Sequence, residues 1–399
     1  MPYRTKKINA PKMGKSNRLL ILNLIRSNPG ITRRILSRLT GLDPSTVTNI
    51  IFSLLSEGLV QEEGAMQSTK PGRKSISLKV VKEAAISINL VFGTQQCVLG
   101  LGYLDNSFDV LDRFPTDPNV DRFLETVFQK VHQIRLQMED RPITSFSVSL
   151  PGMADQNRQV MVNIPHLHWE EVDLLQFFVQ KDPTWSLPIL LANEAQLALT
   201  SEINHNPSIK EFSEGLYIFI SEGVGGALMI DGQLYRGPSF SAGEVGHMSI
   251  NTQGPPCYCL NRGCWEETIS VSYAVQTYEQ LSGPLPQEMN LFEKFVEMIH
   301  RAQKDSFGQK VLDQMAKDLS TGIVNLCNIL NPSFVMLGGM GDKLPDSYVK
   351  QVESQVKACA LKPAATDVKV LKASLDILSA CSRGCTLQAM NAYTNKRFQ

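Results

Sequence analysis

The sequence lacks a long hydrophobic segment. Its longest apolar run near the start, residues 19–25, is interrupted by Asn23 and is far shorter than the roughly 20 residues that span a bilayer. We therefore expect neither a membrane span nor a signal peptide. Low-complexity segments and short-period repeats are also missing, which argues against disordered and solenoid architectures. At roughly 100–200 residues per domain, 399 residues allow two to four compact domains.

A framework of disulfides is not indicated either. The eight cysteines occur without a secretory signal, and this combination favours the reducing cytosol. In that compartment, closely spaced cysteines indicate metal binding or simple burial. We therefore expect a cytoplasmic protein.

The net charge of zero hides a strong asymmetry along the chain. Residues 1–82 contain 15 Lys and Arg against four Asp and Glu, a net charge of +11, so the other 317 residues carry −11. A small basic unit joined to a large acidic one suggests that the first part binds a polyanion.

The basic segment has the pattern of a helix-turn-helix. Apolar periodicity predicts a helix over residues 16–27, a second helix capped by Thr32, and a third that begins at Asp43-Pro44. Gly41 makes the turn between the last two helices. The expected buried side chains are Ile35, Leu36 and Leu39 on the second helix, and Val47, Ile50, Ile51, Leu54 and Leu55 on the third.

Two alternating runs after this helix, residues 59–62 and 75–80, predict the hairpin of a winged helix-turn-helix. A lone basic loop is more often a solvated surface, but this one accompanies a recognition-helix pattern and the isolated positive charge. Double-stranded operator DNA is therefore the predicted partner, which would place the protein at the nucleoid. The predicted DNA-binding residues are Arg33, Ser45, Thr46, Thr48 and Asn49, with Lys70, Arg73 and Lys74 at the tip of the wing.

The acidic segment has the pattern of a duplicated α/β body. Short apolar runs alternate with helical patterns from about residue 83, and a similar succession restarts at residue 216. Two α/β lobes with a ligand between them are the expected architecture. Glycine-rich turns at residues 92–94, 222–226 and 337–341 are placed as phosphate-binding loops would be, although each match alone is weak.

The most specific chemical signal is a cluster of one histidine and three cysteines. His247, Cys257, Cys259 and Cys264 lie within eighteen residues and supply the Cys₃His ligand set expected of a closed, structural Zn²⁺ site. The alternative is a group of buried thiols beside a core histidine, but this loop has no hydrophobic period. The remaining cysteines are expected in the core: Cys97, Cys327, Cys359, Cys381 and Cys385.

At this point the chain resembles the ROK family, which contains repressors and sugar kinases, and specifically its transcriptional-regulator branch. The resemblance extends from Gly14 to about Ala389 and is specific at residues 220–247 and in the cysteine loop, residues 257–266. It implies an N-terminal winged helix-turn-helix followed by a two-lobed actin-like ATPase fold. The expected domains are residues 1–82, 83–200 and 201–399. One departure is Leu260, which stands where the family loop has glycine.

The resemblance also implies a sugar site in the cleft between the lobes. The side chains implied in sugar binding are Asn193, Glu194, Glu244, His247 and Glu266. Carboxylates and amides suit the hydroxyls of a sugar. His247 would bind zinc through one ring nitrogen and face the sugar with the other. His166 replaces an asparagine that the family commonly has near the sugar.

Two further departures indicate a regulator rather than an enzyme. Family kinases begin the ATPase core with Asp-x-Gly-Gly-Thr, whereas residues 89–94 read Asn-Leu-Val-Phe-Gly-Thr, without the carboxylate and with Phe92 in place of a glycine. The general-base aspartate is replaced by Glu194, whose extra methylene would misplace the carboxylate by about 1 Å. We therefore expect no catalytic activity.

The sequence thus predicts a transcriptional repressor of carbohydrate metabolism that binds DNA as a homodimer or homotetramer and releases it when sugar binds. An active ATP-dependent sugar kinase is the alternative from a different class. Control by a protein partner instead of a sugar is a third hypothesis.

Overall fold

A computed structural model describes residues 10–65 and 76–398. The chain divides into two compact units. The first contains Met1–Gly152, Gln156–Ala192 and Cys385–Gln399, and the second contains Met153–Asp155 and Asn193–Gly384. Among the residues described, none of the helices is long and apolar enough to cross a membrane.

The N-terminal part of the first unit is a winged helix. Its elements are α1 Ala10–Ser27, β1 Ile31–Thr32, α2 Arg33–Thr40, α3 Pro44–Ser56, β2 Val60–Ala65 and β3 Ile76–Val80, with strand order β1-β3-β2. The predicted helix boundaries are confirmed, but the predicted side-chain cap at Asp43 is wrong, because Asp43 precedes α3 without a capping hydrogen bond from its side chain. The Thr32 hydroxyl accepts a hydrogen bond from the amide of Ile35 at 3.4 Å, Gly41 ends α2 with φ of 68°, and Pro44 is the first residue of α3.

The rest of the first unit is built on a mixed sheet. Its elements are β4 Ile86–Phe92, β5 Gln96–Tyr103, β6 Phe108–Pro115, α4 Val120–Gln137, β7 Ile143–Leu150, β9 Val160–Ile164, β10 Trp169–Asp173, α5 Leu174–Lys181 and β11 Ile189–Asn193, while the short strand β8 Met153–Asp155 belongs to the second unit. The main sheet has the order β11-β7-β4-β5-β6, in which β4 pairs antiparallel with β5 and parallel with β7. Strands β9 and β10 form a separate antiparallel pair.

The second unit repeats this topology. Its elements are α6 Glu194–His205, β12 Gly215–Ile220, β13 Val224–Ile230, β14 Gln233–Tyr235, α7 Glu266–Ile269, α8 Val271–Ser282, α9 Leu291–Arg301, α10 Ser306–Leu330, β15 Phe334–Gly339, α11 Asp346–Cys359, α12 Lys362–Thr366, β16 Lys369–Lys372 and the first part of α13 Ile377–Phe398, a helix whose residues from Cys385 onward belong to the first unit. The sheet order is β14-β13-β12-β15-β16, with β12 antiparallel to β13 and parallel to β15. In each sheet, three successive strands form two hairpins, and the first of these strands pairs in parallel with a later strand that follows one or more helices. This shared topology confirms the predicted duplicated α/β body.

The winged helix packs against the C-terminal end of α13 inside the first unit. Ala389, Met390 and Phe398 belong to the same hydrophobic cluster as the helices α1 to α3. At the edge of this cluster, Glu57 accepts hydrogen bonds from the guanidinium groups of Arg18 and Arg397. The basic N-terminal segment therefore shares a core with the last residues of the chain.

Two details of the predicted core are wrong. On α2 only Leu36 is fully buried, whereas Ile35 is 37% and Leu39 57% exposed, because this eight-residue helix buries only one narrow stripe. Cys359, at the end of α11, is exposed, while Cys97, Cys327, Cys381 and Cys385 are buried as expected. Helical periodicity identifies an apolar face but not how much of that face a short helix covers.

Candidate functional site

The histidine and cysteine cluster forms on a loop that precedes α7. His247 ends a short 3-10 turn, Val245–His247, and Cys264 immediately precedes Trp265 at the start of α7. Isolated bridges between Ser249 and Cys264 and between Pro256 and Arg262 fold the loop back on itself. One candidate ligand atom from each of His247, Cys257, Cys259 and Cys264 lies within 4.8 Å of the others. The structure therefore brings together all four residues that the sequence singled out.

The spacing of these atoms suits a tetrahedral metal ion. The Cys257 Sγ atom lies 3.6 Å from His247 Nδ1, and the Sγ atoms of Cys259 and Cys264 are 3.5 Å apart. Zn–S and Zn–N bonds of about 2.3 and 2.0 Å at tetrahedral angles would separate such atoms by roughly 3.6–3.8 Å. The donor set can therefore bind a metal through Nδ1 of the histidine and three sulfur atoms.

Leu260 adopts a backbone conformation that suits glycine. Its φ is 70° and its side chain is 97% exposed, so side-chain packing contributes little to offset the cost of the left-handed geometry. A glycine at this position would remove the conflict with Cβ. Leucine thus leaves the loop path possible but strained.

We expect Leu260→Gly to stabilise the metal-loaded protein. A left-handed leucine costs about 1–2 kcal/mol, and the greater unfolded-state entropy of glycine offsets about 0.5–1 kcal/mol of the gain, so about 0.5–1 kcal/mol should remain. The matched control is Leu361→Gly, which removes another exposed leucine whose φ is −58° and should not stabilise. Denaturant midpoints compare the two variants; a less stable Leu260→Gly protein would contradict the strain.

Glu266 connects the cluster to the surrounding carboxylates. One of its oxygen atoms accepts a hydrogen bond from the Cys257 thiol at 3.1 Å and lies 3.1 Å from Nδ1 of His247. Burial opposes ionisation of Glu266 and is the largest single influence on it, but the hydrogen bond with His247, the charge of His247 and the hydrogen bonds from Cys257 and a backbone amide together outweigh burial, so the pKa of this carboxyl is lowered. The same hydrogen bond raises the pKa of His247. Glu244, exposed just before the 3-10 turn, interacts electrostatically with both residues.

The second ring nitrogen of His247 forms a hydrogen bond with a residue that the sequence did not single out, Tyr258. The hydroxyl of Tyr258 lies 2.8 Å from Nε2, and the two rings meet edge to face with centroids 5.0 Å apart. Tyr258 is 53% exposed. Its position between Cys257 and Cys259 was the available signal, since a residue flanked by two ligands must lie close to the cluster.

Asn193 and Glu194 lie at the junction of β11 and α6. The Asn193 side chain caps the helix, with its oxygen accepting a hydrogen bond from the amide of Ala195 at 2.8 Å. Glu194 is half-buried in the first turn. Burial, with a smaller contribution from the charge of Glu222, raises the pKa of Glu194 to about 8. This carboxyl can therefore carry a proton near neutral pH and act as a hydrogen-bond donor.

The predicted DNA-binding residues lie on α2 and α3. Ser45, Thr48 and Asn49 are exposed on α3, and Thr46 is half-buried. The Thr48 hydroxyl donates a hydrogen bond to the carbonyl of Pro44 at 2.7 Å. On α2, Arg33 forms an ion pair with Glu62 at 2.5 Å. Lys70, Arg73 and Lys74 lie outside the described residues.

Comparison with known proteins identifies both parts of the chain. The profile of the ROK family matches residues 92–385, which is most of the sequence. The chain belongs to the ROK family. A second profile, described as winged helix-turn-helix DNA-binding, matches residues 15–61.

Two bacterial regulators are similar to this ROK chain along nearly their whole length. The xylose repressor of Bacillus spizizenii is 28% identical over 367 residues, which cover 90% of this chain and 91% of the relative. The DNA-binding transcriptional dual regulator NagC of Escherichia coli K12 is 22% identical over 379 residues, covering 93% and 92% respectively. The similarity therefore includes both the winged helix and the ROK domain.

Solved structures confirm the predicted fold. A ROK family transcriptional regulator described as a homolog of the E. coli MLC protein superposes with a TM-score of 0.77 at 19% identity, covering 97% of this chain and 99% of that one. A ROK family glucokinase from Streptomyces griseus, solved with glucose and AMPPNP, has a TM-score of 0.64 at 18% identity and covers 76% of this chain and 98% of its own. The ROK domain thus has the actin-like sugar kinase fold.

In this ROK chain, the residues at the expected start of the phosphate loop are part of the core. Asn89 is fully buried within β4, and its Nδ2 donates to the Thr386 hydroxyl at 2.8 Å. Phe92 is 1% exposed and packs against Phe123 and Trp169, with ring centroids 4.6 and 5.6 Å away. Neither side chain is available to a phosphate group.

Proposed function

We propose that this ROK chain is a sugar-responsive transcriptional repressor of carbohydrate metabolism genes. The observation that carries the proposal is one continuous match, over about nine-tenths of the chain, to repressors that join a winged helix to a ROK domain. In this proposal the winged helix binds operator DNA as a homodimer or homotetramer. Sugar binding to the ROK domain favours a conformation that releases the DNA.

The zinc assignment is part of this proposal. His247 through Nδ1, with Cys257, Cys259 and Cys264, would hold one Zn²⁺ in a closed set that leaves no position for a reactive water. Bound there, zinc would supply structure and charge rather than catalysis. The chain's own contribution is a loop that holds His247 and Cys257 beside Glu266, and zinc at Nδ1 and Sγ would replace the protons through which these two atoms contact Glu266.

The effector would bind through the polar side chains around this loop. Glu244 and Glu266 offer acceptors to sugar hydroxyls, while Asn193 and a protonated Glu194 offer donors. Nε2 of His247 would face the sugar only after leaving the hydroxyl of Tyr258. The electrostatic contact among Glu244, His247 and Glu266 supports a shared site for these three residues.

The two competing functions predict different behaviour in simple assays. A mobility-shift titration of promoter DNA with a panel of sugars should reveal one sugar that releases the protein. An active kinase would instead produce ADP in a sugar-dependent coupled assay, which the buried Asn89 and Phe92 argue against. If no sugar acts in either assay, control by a protein partner replaces the sugar-responsive proposal.

We expect the wing to contribute phosphate contacts. Replacing Arg73 and Lys74 with alanine should weaken binding about equally on all DNA sequences and reduce the slope of log K against log salt by about 0.9 per lost contact.

Variants of the third helix should act differently: Thr46→Ala or Asn49→Ala should change the preferred base pair. Fluorescence anisotropy at several salt concentrations and with several DNA sequences measures the salt dependence and the base preference. An unchanged salt slope in the wing variant would show that the wing does not contact the DNA.

A further inference from the structure

Phe52 is exposed in the middle of the outward face of α3. Its side chain is 72% exposed, the highest value among the large apolar side chains described in the winged helix. At 3.6 residues per turn it lies about 40° from Thr48 and about 60° from Asn49 around the helix axis, and about 140° from the buried Val47. The face predicted to read DNA therefore has an aromatic ring at its centre.

The neighbours of Phe52 indicate what this ring contacts. Ser45, Thr48, Asn49 and Ser56 share its face and are exposed and polar, while the apolar Leu55, three residues after Phe52, is half-buried against the core of the winged helix. A protein-docking surface would present a contiguous apolar patch, which this face does not provide. Small hydroxyl and amide side chains around one apolar group match the floor of the major groove instead, where acceptors and donors alternate with thymine methyl groups.

We propose that Phe52 reads the 5-methyl group of a thymine in the operator, an inference that rests on the proposed DNA-binding function. Asparagine can bind adenine through two hydrogen bonds, and phenylalanine can pack against a thymine methyl. Three residues advance about 4.5 Å along a helix, slightly more than the base-pair spacing of about 3.4 Å. Phe52 would therefore contact the base pair next to the one that Asn49 reads.

The test uses the full-length, zinc-loaded chain and the DNA sequence that it selects from a random pool. Each thymine of that sequence is replaced in turn by deoxyuridine, which removes only the methyl group. For the wild type, one or two positions should weaken binding about fourfold, the effect of exposing one methyl group. Phe52→Ala should bind the thymine site about tenfold more weakly and be insensitive to deoxyuridine at those positions.

Two variants serve as controls. Phe52→Leu keeps an apolar side chain and should retain part of the sensitivity to deoxyuridine. Leu39→Ala removes an exposed apolar side chain from the neighbouring helix α2 and should retain the full sensitivity to deoxyuridine. Because Phe52 is exposed and alanine favours helices, Phe52→Ala should fold normally.

Several results would overturn the inference. If each deoxyuridine lowers the DNA affinity of the wild type and of Phe52→Ala by the same factor, Phe52 does not contact a thymine methyl group. A Phe52→Ala protein with an unchanged DNA sequence preference but a different oligomeric state in analytical ultracentrifugation would assign the ring to a protein interface. A wild-type chain that binds no DNA at all would overturn the proposed function together with this inference, whereas the first two results leave DNA binding intact.

Discussion

The Cys257→Ser variant should lose its zinc. The Sγ atom of Cys257 lies 3.6 Å from Nδ1 of His247, and a serine hydroxyl at this position would be a far poorer ligand for the ion. Changes outside the ligand shell already cost about 10–100-fold in metal affinity, so loss of a ligand should cost more than about a hundredfold. Atomic emission after dialysis should find close to one zinc per wild-type chain and very little in the variant.

The same variant should also respond poorly to sugar. Without the metal, the exposed residues 258–262 lose the link that ties Cys257 and Cys259 to His247, so His247 and Glu266 lose their fixed orientation. Cys359→Ser is the matched control, since this thiol is exposed at the end of α11 and outside the cluster. Full zinc content in Cys257→Ser, or equal losses in both variants, would refute the assigned ligand set.

The Glu244→Ala variant should behave as a super-repressor. Its operator affinity without sugar should equal that of the wild type, because the winged helix is unchanged. Its sugar affinity should fall about 10–100-fold, since a hydrogen bond to a charged group contributes about 1.5–3 kcal/mol. DNA release, followed by mobility shift, should then need a correspondingly higher sugar concentration.

A second glutamate distinguishes this effect from a change in overall charge. Glu288→Ala removes an exposed carboxylate from the same unit, outside the cluster, and should leave induction unaltered. If Glu244→Ala releases DNA at the same sugar concentration as the wild type, Glu244 is not part of the effector site.

Local sequence signals predicted the elements that their own residues determine. Thr32 and Pro44 define the starts of two helices because a cap and a fixed φ act within one turn. The four cluster residues were identified for a similar reason, since their chemistry and spacing lie in one short loop. Family resemblance supplied the actin-like fold of the ROK domain.

Features that depend on packing were not predictable in this way. Leu39 has helical spacing but is exposed, because α2 meets its neighbours along only one stripe. Phe52 has polar neighbours at helical spacing, Thr48 and Asn49, but also the apolar Leu55, so spacing alone does not decide between burial and exposure, and only the folded helix shows that the ring is exposed. The contact of Tyr258 with Nε2 of His247 depends on the fold of the loop, and the left-handed conformation of Leu260 is visible only in the backbone.

Calorimetric titration of the inducing sugar, with and without saturating operator DNA, tests most directly whether sugar and DNA oppose each other in one chain. Linkage requires that DNA weaken sugar binding by the same factor by which sugar weakens DNA binding. For an effective inducer, saturating operator DNA should raise the sugar dissociation constant by a factor of about 5–150, the usual range of allosteric coupling. Equal sugar affinities in the presence and absence of operator DNA would contradict a sugar-responsive repressor.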